Sequence, residues 1–304
     1  MEKSKTTQMS ADLGPESNSW RFSSDDADVV FDLTRSMDGN TNGLQIKVST
    51  GATIKTDPAR CALVIIDMQN YFLSEALGRS RGQGHEASEN LIKHAIPAAR
   101  KAGMQIIWLS WGLTDEDMLS MPAAVKRCFG FPACDAKGQT VLLDRHGTVR
   151  TDRGFAGLGG EIGNVIVPEH ERVEDEKDQI DAGRVLFRDT WNAEIYGPLK
   201  EHCKSGDQRI TKNRISGLWD YETPMSKYLQ QNGFTTLFFA GVNTDQCVGS
   251  TLSDAFSYGY DCVLLKDGCG TSSPAFATQA WEFNVENGFG FVTTCKDLYD
   301  AAMR

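Results

Sequence analysis

Three residues of this 304-residue chain can together run nucleophilic chemistry: Asp67, Lys212 and Cys247. Each ends, or closely follows, a run that reads as a buried strand. A thiol attacks only as its thiolate, and a lysine cation or a helix N-terminus favours that form. A neighbouring carboxylate can take the thiol proton. The oxyanion formed by attack on a carbonyl needs N–H donors. The backbone from Asn243 to Cys247 offers them as it enters a helix. Each residue also has an ordinary reading. Cys247 alone reads equally well as a small buried apolar residue, Asp67 as a turn or cap acid, and Lys212 as a surface lysine. The functional reading rests on the coincidence of three strand ends.

The elements that must position them follow from the apolar runs. Ala62-Leu63-Val64-Ile65-Ile66 is uninterrupted, as expected of a parallel strand buried on both faces, and Asp67 follows it directly. Lys212 closes a short strand at 207–211. A run at 235–240 leads into Gly241-Val242-Asn243-Thr244-Asp245-Gln246-Cys247, and a helix follows. In open α/β sheets, ligands bind at the carboxyl ends of the strands, where all three residues fall. Residues 105–109 form another strand, with Trp111 and Gly112 at the same edge. Two more strands are read at 261–265 and 290–292.

Helices are expected at 88–102, 193–203, 224–231, 274–287 and 296–303. The first carries Leu91, Ile92, Ala95, Ile96 and Ala99 on one face, with a kink or break at Pro97. Pro224 suits the first turn of the third, and Gly233 its end. Strand and helix alternate after residue 58. The pattern predicts a three-layer α/β/α sandwich with a mostly parallel sheet of about six strands.

Two regions fall outside that alternation. Residues 1–57 form an N-terminal arm. Its first 28 residues are rich in Ser, Asp and Thr and are expected to be disordered or loosely held. Short strands at 29–33 and 44–48, separated by the turn-rich Asp38-Gly39-Asn40-Thr41-Asn42-Gly43, suggest a hairpin. The body, 58–304, carries an irregular insertion at about 113–190. It contains a hairpin, 139–143 with 148–150, around Asp144-Arg145-His146-Gly147. A glycine-rich stretch at 154–163 matches neither a dinucleotide nor a Walker fingerprint. A charge run at 169–178 reads as a solvated face. The insertion is expected to cover the site or to make a subunit contact.

Composition narrows the function classes. A net charge of -10 argues against a general binder of nucleic acid or of anionic membranes. Eight cysteines without a Cys-x-x-Cys pair resemble neither a disulfide scaffold nor a zinc knuckle. There is no apolar leader at the N-terminus and no apolar run of bilayer length. A cytoplasmic protein is expected; leaderless secretion is compatible with the same features.

Three blocks carry a resemblance: Ala62 to Asn70, then Lys212 with Ser216-Gly217, then Gly241 to Val248. In order and spacing they resemble the signature blocks of the isochorismatase-like cysteine hydrolases, from about residue 58 to the C-terminus. The resemblance implies an Asp67, Lys212, Cys247 triad and a cis peptide at Val242–Asn243. It implies an oxyanion hole from the N–H groups of Asn243 and Cys247, and aromatic pocket walls at Phe72 and Trp219. Gln69 and Trp111, in the edge segments, complete the candidate substrate-binding set. The siderophore-type isochorismatases cleave a vinyl ether and lack the cysteine, whereas this chain has Cys247. Nicotinamidases carry an Asp-x-His metal motif after the second strand. Here that region reads Trp111-Gly112-Leu113-Thr114-Asp115-Glu116-Asp117, so no catalytic metal and no cofactor are expected. The long insertion, Trp111-Gly112 and Trp191 resemble the ureidoacrylate and N-carbamoyl amidohydrolase branch. The polar arm and Leu77-Gly78-Arg79 resemble uncharacterised fungal members.

The expectation is a cysteine hydrolase cleaving an amide or ureido C–N bond of a small molecule through a thioester. Three alternatives stand beside it: vinyl-ether hydrolysis that needs Asp67 but not Cys247, a non-catalytic small-molecule-binding protein, and a structural domain whose three residues form an internal ion pair. The resemblance also implies a homo-oligomer, a dimer or a tetramer.

Overall fold

The computed structural model describes residues 8–25, 28–36, 43–151 and 157–304. Six strands make one sheet: Cys61–Ile66, Gln105–Trp111, Gln208–Lys212, Thr236–Val242, Asp261–Gly270 and Gly290–Thr293. Across the sheet, Gln208–Lys212 lies at one edge, followed by Gln105–Trp111, Cys61–Ile66, Thr236–Val242, Asp261–Gly270 and Gly290–Thr293. Every pairing is parallel. The chain begins in the middle, builds outward to one edge, then returns and builds outward to the other. That reversal opens a crevice at the carboxyl ends of Cys61–Ile66 and Thr236–Val242.

All six residues of Cys61–Ile66 and all seven of Thr236–Val242 are buried, as strands covered on both faces must be. Alternation along each strand splits them between two cores. Val64, Ile66, Leu109 and Phe239 face one helical layer with Leu252. Leu63, Ile65, Trp108 and Phe238 face the other with Leu91 and Leu298. Where the two central strands end, the chains come very close. A Cβ on Gly241 would sit 2.0 Å from the Ile66 carbonyl oxygen, and its φ of +120° suits glycine alone.

The N-terminal region departs from expectation. Met9–Leu13, Trp20–Ser24, Val29–Asp32, Thr53–Thr56 and Leu44–Lys47 form a five-stranded sheet in that spatial order. Residues 8–25 are therefore built into structure, not a loose arm. Large side chains tie them down despite the polar composition. The Trp20 and Phe31 rings both lie 5.5 Å from Phe291, and the Trp20 indole N–H donates to Asp261 Oδ1 at 2.7 Å. Arg35 holds the same carboxylate at 2.7 Å. The expected hairpin does not form. Thr53–Thr56 lies between the two strands, parallel to Val29–Asp32 and antiparallel to Leu44–Lys47. Its Ile54 is fully buried, so the centre of the sheet is where it belongs. Residues 37–42, most of the predicted turn, lie outside the described residues, as do 1–7 and 26–27.

Other differences are local. The helix expected at 88–102 runs from Gln83–Asn90 through a wide turn at Leu91–Ala95 into Ile96–Ala102. Pro97 does not break it. The bonding pattern already shifts there, with the Ile96 N–H reaching back to the Leu91 carbonyl, so one missing donor is absorbed. The helix expected at 193–203 is reduced to single turns at Trp191–Ala193 and Gly197–Lys200, the second starting at the Gly197-Pro198 pair.

The insertion has structure of its own. Phe131–Cys134, Thr140–Leu143 and Val149–Arg150 form a three-stranded antiparallel sheet, which contains the expected hairpin. Residues 152–156, including the start of the glycine-rich stretch, lie outside the described residues. The charge run is not wholly solvated, because Glu171 is buried and accepts from the Ser74 hydroxyl and the Glu75 N–H. Among the described residues, no helix is long and apolar enough to cross a membrane.

Candidate active site

Asp67 leaves the central strand with φ of +52°, a left-handed conformation that turns the chain sharply and keeps its carboxyl at the sheet edge. Its own N–H donates to the Leu109 carbonyl. Lys212, the last residue of the edge strand, is brought level with Trp111 by the parallel register. Cys247 lies in a wide turn, Thr244–Val248, that opens into the helix Gly249–Ser257. The Val242–Asn243 peptide before that turn is cis.

The three side chains meet. Lys212 Nζ lies 2.9 Å from Asp67 Oδ2 and 3.4 Å from Cys247 Sγ. It also donates to the Arg214 carbonyl at 3.1 Å and sits 4.1 Å from the Trp111 ring centroid. The Cys247 thiol and the Asp67 carboxylate lie close enough for each to shift the other's ionisation. Asp67 Oδ1 accepts from the Trp111 backbone N–H at 3.2 Å. All three residues are buried.

Burial sets the electrostatics. It raises the Asp67 carboxyl above the ordinary carboxylate range, against the pull of Lys212 and of bonds from Cys247 and Trp111. Burial, reinforced by the Asp67 charge, pushes the Cys247 thiol up to about 12, against the pull of Lys212. The sequence pointed to a thiolate favoured by a helix end and a lysine. The pull of Lys212 is present, but desolvation and the adjacent carboxylate outweigh it. Burial thus favours the neutral thiol over the thiolate and raises the affinity of the neighbouring carboxylate for protons.

Cys247 opens onto a cleft of about 470 Å³. Phe72, Tyr71, Phe129 and Val242 give it apolar wall; Asn243, Gln246, Arg79 and Arg145 give it polar wall. Of the substrate-binding candidates, Phe72 lines this cleft. Trp219 does not; it is half exposed, 5.1 Å from the Arg214 guanidinium, on a separate depression beside Lys212. Gln69 is fully buried. It donates to the Trp111 and Ala193 carbonyls at 2.8 and 2.6 Å and accepts from the Trp111 N–H at 3.0 Å, which clamps two strand ends together. Trp111 is buried against Lys212 and, at 5.1 Å, against Phe129. It borders the triad rather than the open cleft.

Sequence reading passed over Tyr71, Arg79, Phe129 and Arg145. Phe129 and Arg145 belong to the insertion, where no period marks a face. Tyr71 and Arg79 follow the first signature block closely, and that proximity was the available signal.

Among the described residues, only Glu75, His170 and Glu171 bring ligand atoms close enough for a metal ion. None of them lines the cleft, and Glu171 already accepts from Ser74 and Glu75. Two of the acids after the second strand have other work. Asp117 caps the Asp115–Ser120 helix through Thr114, and Asp115 pairs with Arg184 at 2.7 Å.

Comparison with known proteins bears on this geometry. The family model described as the isochorismatase domain matches residues 161–297. The ureidoacrylate amidohydrolase RutB of Cronobacter turicensis (strain DSM 18703 / CCUG 55852 / LMG 23827 / z3032) is 30% identical over 250 residues, covering 80% of this chain and 89% of that protein. The same enzyme of Enterobacter sp. (strain 638) is 29% identical over 249 residues, covering 80% and 90%. Among solved structures, a cysteine hydrolase from Pseudomonas syringae pv. phaseolicola 1448A superposes with a TM-score of 0.55 at 16% identity, covering 87% of this chain and 98% of that one. An isochorismatase-like hydrolase from Alkaliphilus metalliredigens gives 0.50 at 17%, covering 81% and 100%.

Proposed function

The chain belongs to the isochorismatase family of hydrolases, and from that premise we propose that it is a cysteine amidohydrolase acting on a small amide or ureido compound. The observation that carries the reading is the mutual contact of Asp67, Lys212 and Cys247 beneath a small-molecule cleft. The similarity to the ureidoacrylate amidohydrolases supports C–N cleavage at the level of the family.

The reaction follows from the proton positions. Asp67 takes the proton of Cys247 as the sulfur attacks the substrate carbonyl. Lys212 holds the carboxylate and the developing thiolate in their charged forms. The oxyanion is received by the N–H groups of Asn243 and Cys247 at the helix entrance. The tetrahedral intermediate collapses, the C–N bond breaks, and Asp67 returns its proton to the leaving nitrogen. Water then enters the site and gives a proton to Asp67 while attacking the thioester. The C–S bond breaks, the acid leaves, and the thiol is restored. Starting from a neutral thiol suits this sequence, because the carboxylate that accepts the proton is the group that must later donate it.

The test is intact-protein mass after incubation with a panel of small amides, ureido acids and isochorismate, run beside Cys247→Ala. Product formation with a trapped acyl adduct, both lost in Cys247→Ala, is the expected result. Turnover of isochorismate that survives Cys247→Ala and is lost in Asp67→Ala would replace the proposal with vinyl-ether hydrolysis.

A further inference from the structure

The helix Ala275–Asn284 breaks a rule that the others follow. Six of its ten residues are apolar, yet none is buried. Every other helix of eight or more residues, among the described residues, buries at least two side chains. Its inner side is held to the body by Trp281. That ring lies 6.3 Å from Phe289 and against Gly249, where an added Cβ would come within 2.7 Å of it. The opposite side carries Phe276, Ala280 and Phe283. The spacing i, i+4, i+7 puts them on one face, and the two phenylalanines are 70% and 65% exposed. Together the two rings leave roughly 270 Å² of apolar surface in water per chain, or about 540 Å² for two chains. A specific interface buries about 1,600 Å² in all, so these side chains alone supply about a third of one.

The chemistry of the face names its occupant. Gln279 is its one polar member, and the helix's single ionisable residue, Glu282, falls well off it. A chain of net charge -10 repels copies of itself, so contact between copies needs a surface free of charge, and this face is one. A basic partner would seek carboxylates, which the face does not offer. A lipid surface would need lysine or arginine along the helix flanks, and the helix has neither. The order of side-chain sizes is also self-complementary. In a contact between identical surfaces about a two-fold axis, residue i meets j and j meets i. Phe276 and Phe283 lie almost symmetrically about Ala280. Two antiparallel copies therefore bring Phe276 of each beside Phe283 of the other, with the small Ala280 at the axis, where the helices approach most closely. We propose that the helix Ala275–Asn284 is a two-fold contact between two copies of this chain, centred on Ala280. The assignment is independent of the chemistry at Cys247.

Sedimentation velocity from nanomolar to tens of micromolar protein reads this directly. The natural chain should sediment as a dimer or as an assembly of dimers. Phe276→Glu and Phe283→Glu should each weaken the association by about a thousand-fold, because each substitution enters the contact twice. Both side chains are largely exposed, so the fold, followed by circular dichroism, should not change. Ala280→Cys should cross-link to its own copy under mild oxidation with copper phenanthroline, giving a covalent dimer across the axis. Ile166→Cys, 75% exposed in the insertion, should not. Both are made in a Cys134→Ser background, which removes the exposed natural cysteine. A natural chain that is monomeric throughout would overturn the proposal and leave the face to a different protein. Association of equal strength in the natural chain and in both glutamate variants would overturn it in favour of another surface. Cross-linking of Ala280→Cys no greater than that of Ile166→Cys would overturn the two-fold arrangement, and the proposal with it.

Discussion

Two buried carboxylates sit at opposite ends of the same pair of strands, Gln105–Trp111 and Gln208–Lys212, and they behave oppositely. At the amino end, Asp207 accepts from Arg100 at 2.6 and 2.8 Å, from the Trp108 indole at 2.9 Å and from the Lys204 N–H at 3.0 Å. Burial alone would raise its carboxyl, but those bonds together hold it below the ordinary range. At the carboxyl end, Asp67 has one cation and a longer backbone bond, and burial keeps it raised. The fold can satisfy a buried acid fully, and does so at one end of these strands. At the other end it withholds donors, which leaves a carboxylate able to accept and return a proton.

The largest effect should come from breaking the reactive end. Cys247→Ala should reduce kcat on any amide or ureido substrate by about 10⁴-fold or more, and Asp67→Asn by about 10³-fold or more, measured by steady-state kinetics on protein with unchanged circular dichroism. Near-native turnover in either variant would remove the distinction between the two ends. Asp207→Asn should do the reverse. It leaves Arg100 without its ion-pair partner and should cost about 2–4 kcal/mol in urea denaturation, with kcat changed by less than about two-fold.

Acidification separates the two carboxylates, with opposite signs. The folded-state affinity of Asp207 for protons is lowered. Its contribution to stability is therefore present above the unfolded value of 3.8 and is lost as pH falls through the lower folded value. Asp67 is raised, so its ionisation opposes folding at neutral pH, and its favourable contribution is fully present below the unfolded value of 3.8 and is lost as pH rises through the higher folded value. As pH falls, kcat/KM should drop first, at a pH above the ordinary carboxylate range, while the fold persists. The stability difference between the natural chain and Asp207→Asn should close only at lower pH. Coincident losses of activity and structure would contradict the assignment of Asp67 as the proton acceptor.

The two tryptophans of Gln105–Trp111 give the smallest and most discriminating pair. Trp108→Phe removes the indole bond to Asp207 and should cost about 1 kcal/mol of stability with activity intact. Trp111→Phe keeps a ring beneath Lys212 but weakens the cation–π contact. It should lower kcat by a few-fold with stability changed by less than about 1 kcal/mol.

Much of the fold was legible because burial on both faces writes itself as unbroken apolar runs. The runs ending at Ile66 and Ala240 placed two of the three reactive residues at one sheet edge, and Lys212 joined them from a shorter strand. The N-terminal sheet was legible only in part, at the strands read over 29–33 and 44–48, for the opposite reason. Its strands are short and polar, and the few residues that hold them, Trp20, Phe31 and Arg35, find their partners more than 200 positions away at Asp261 and Phe291. No local pattern announces such contacts. Gln69 and Trp219 illustrate the same limit at the site. Both flank reactive residues in sequence, yet one is a buried clamp and the other faces a different depression.

The sequence by itself determined the parallel sheet, the strand ends that carry Asp67, Lys212 and Cys247, and the type of chemistry those residues allow. These are properties of residue type and of period along one strand. Tertiary structure decided the protonation of the thiol, because that depends on how much water the surrounding layers exclude and on Asp67 lying against the sulfur. It also decided which side chains reach the cleft. Arg79 and Arg145 are 66 positions apart in the chain and line one cleft only because the insertion folds back over the sheet edge.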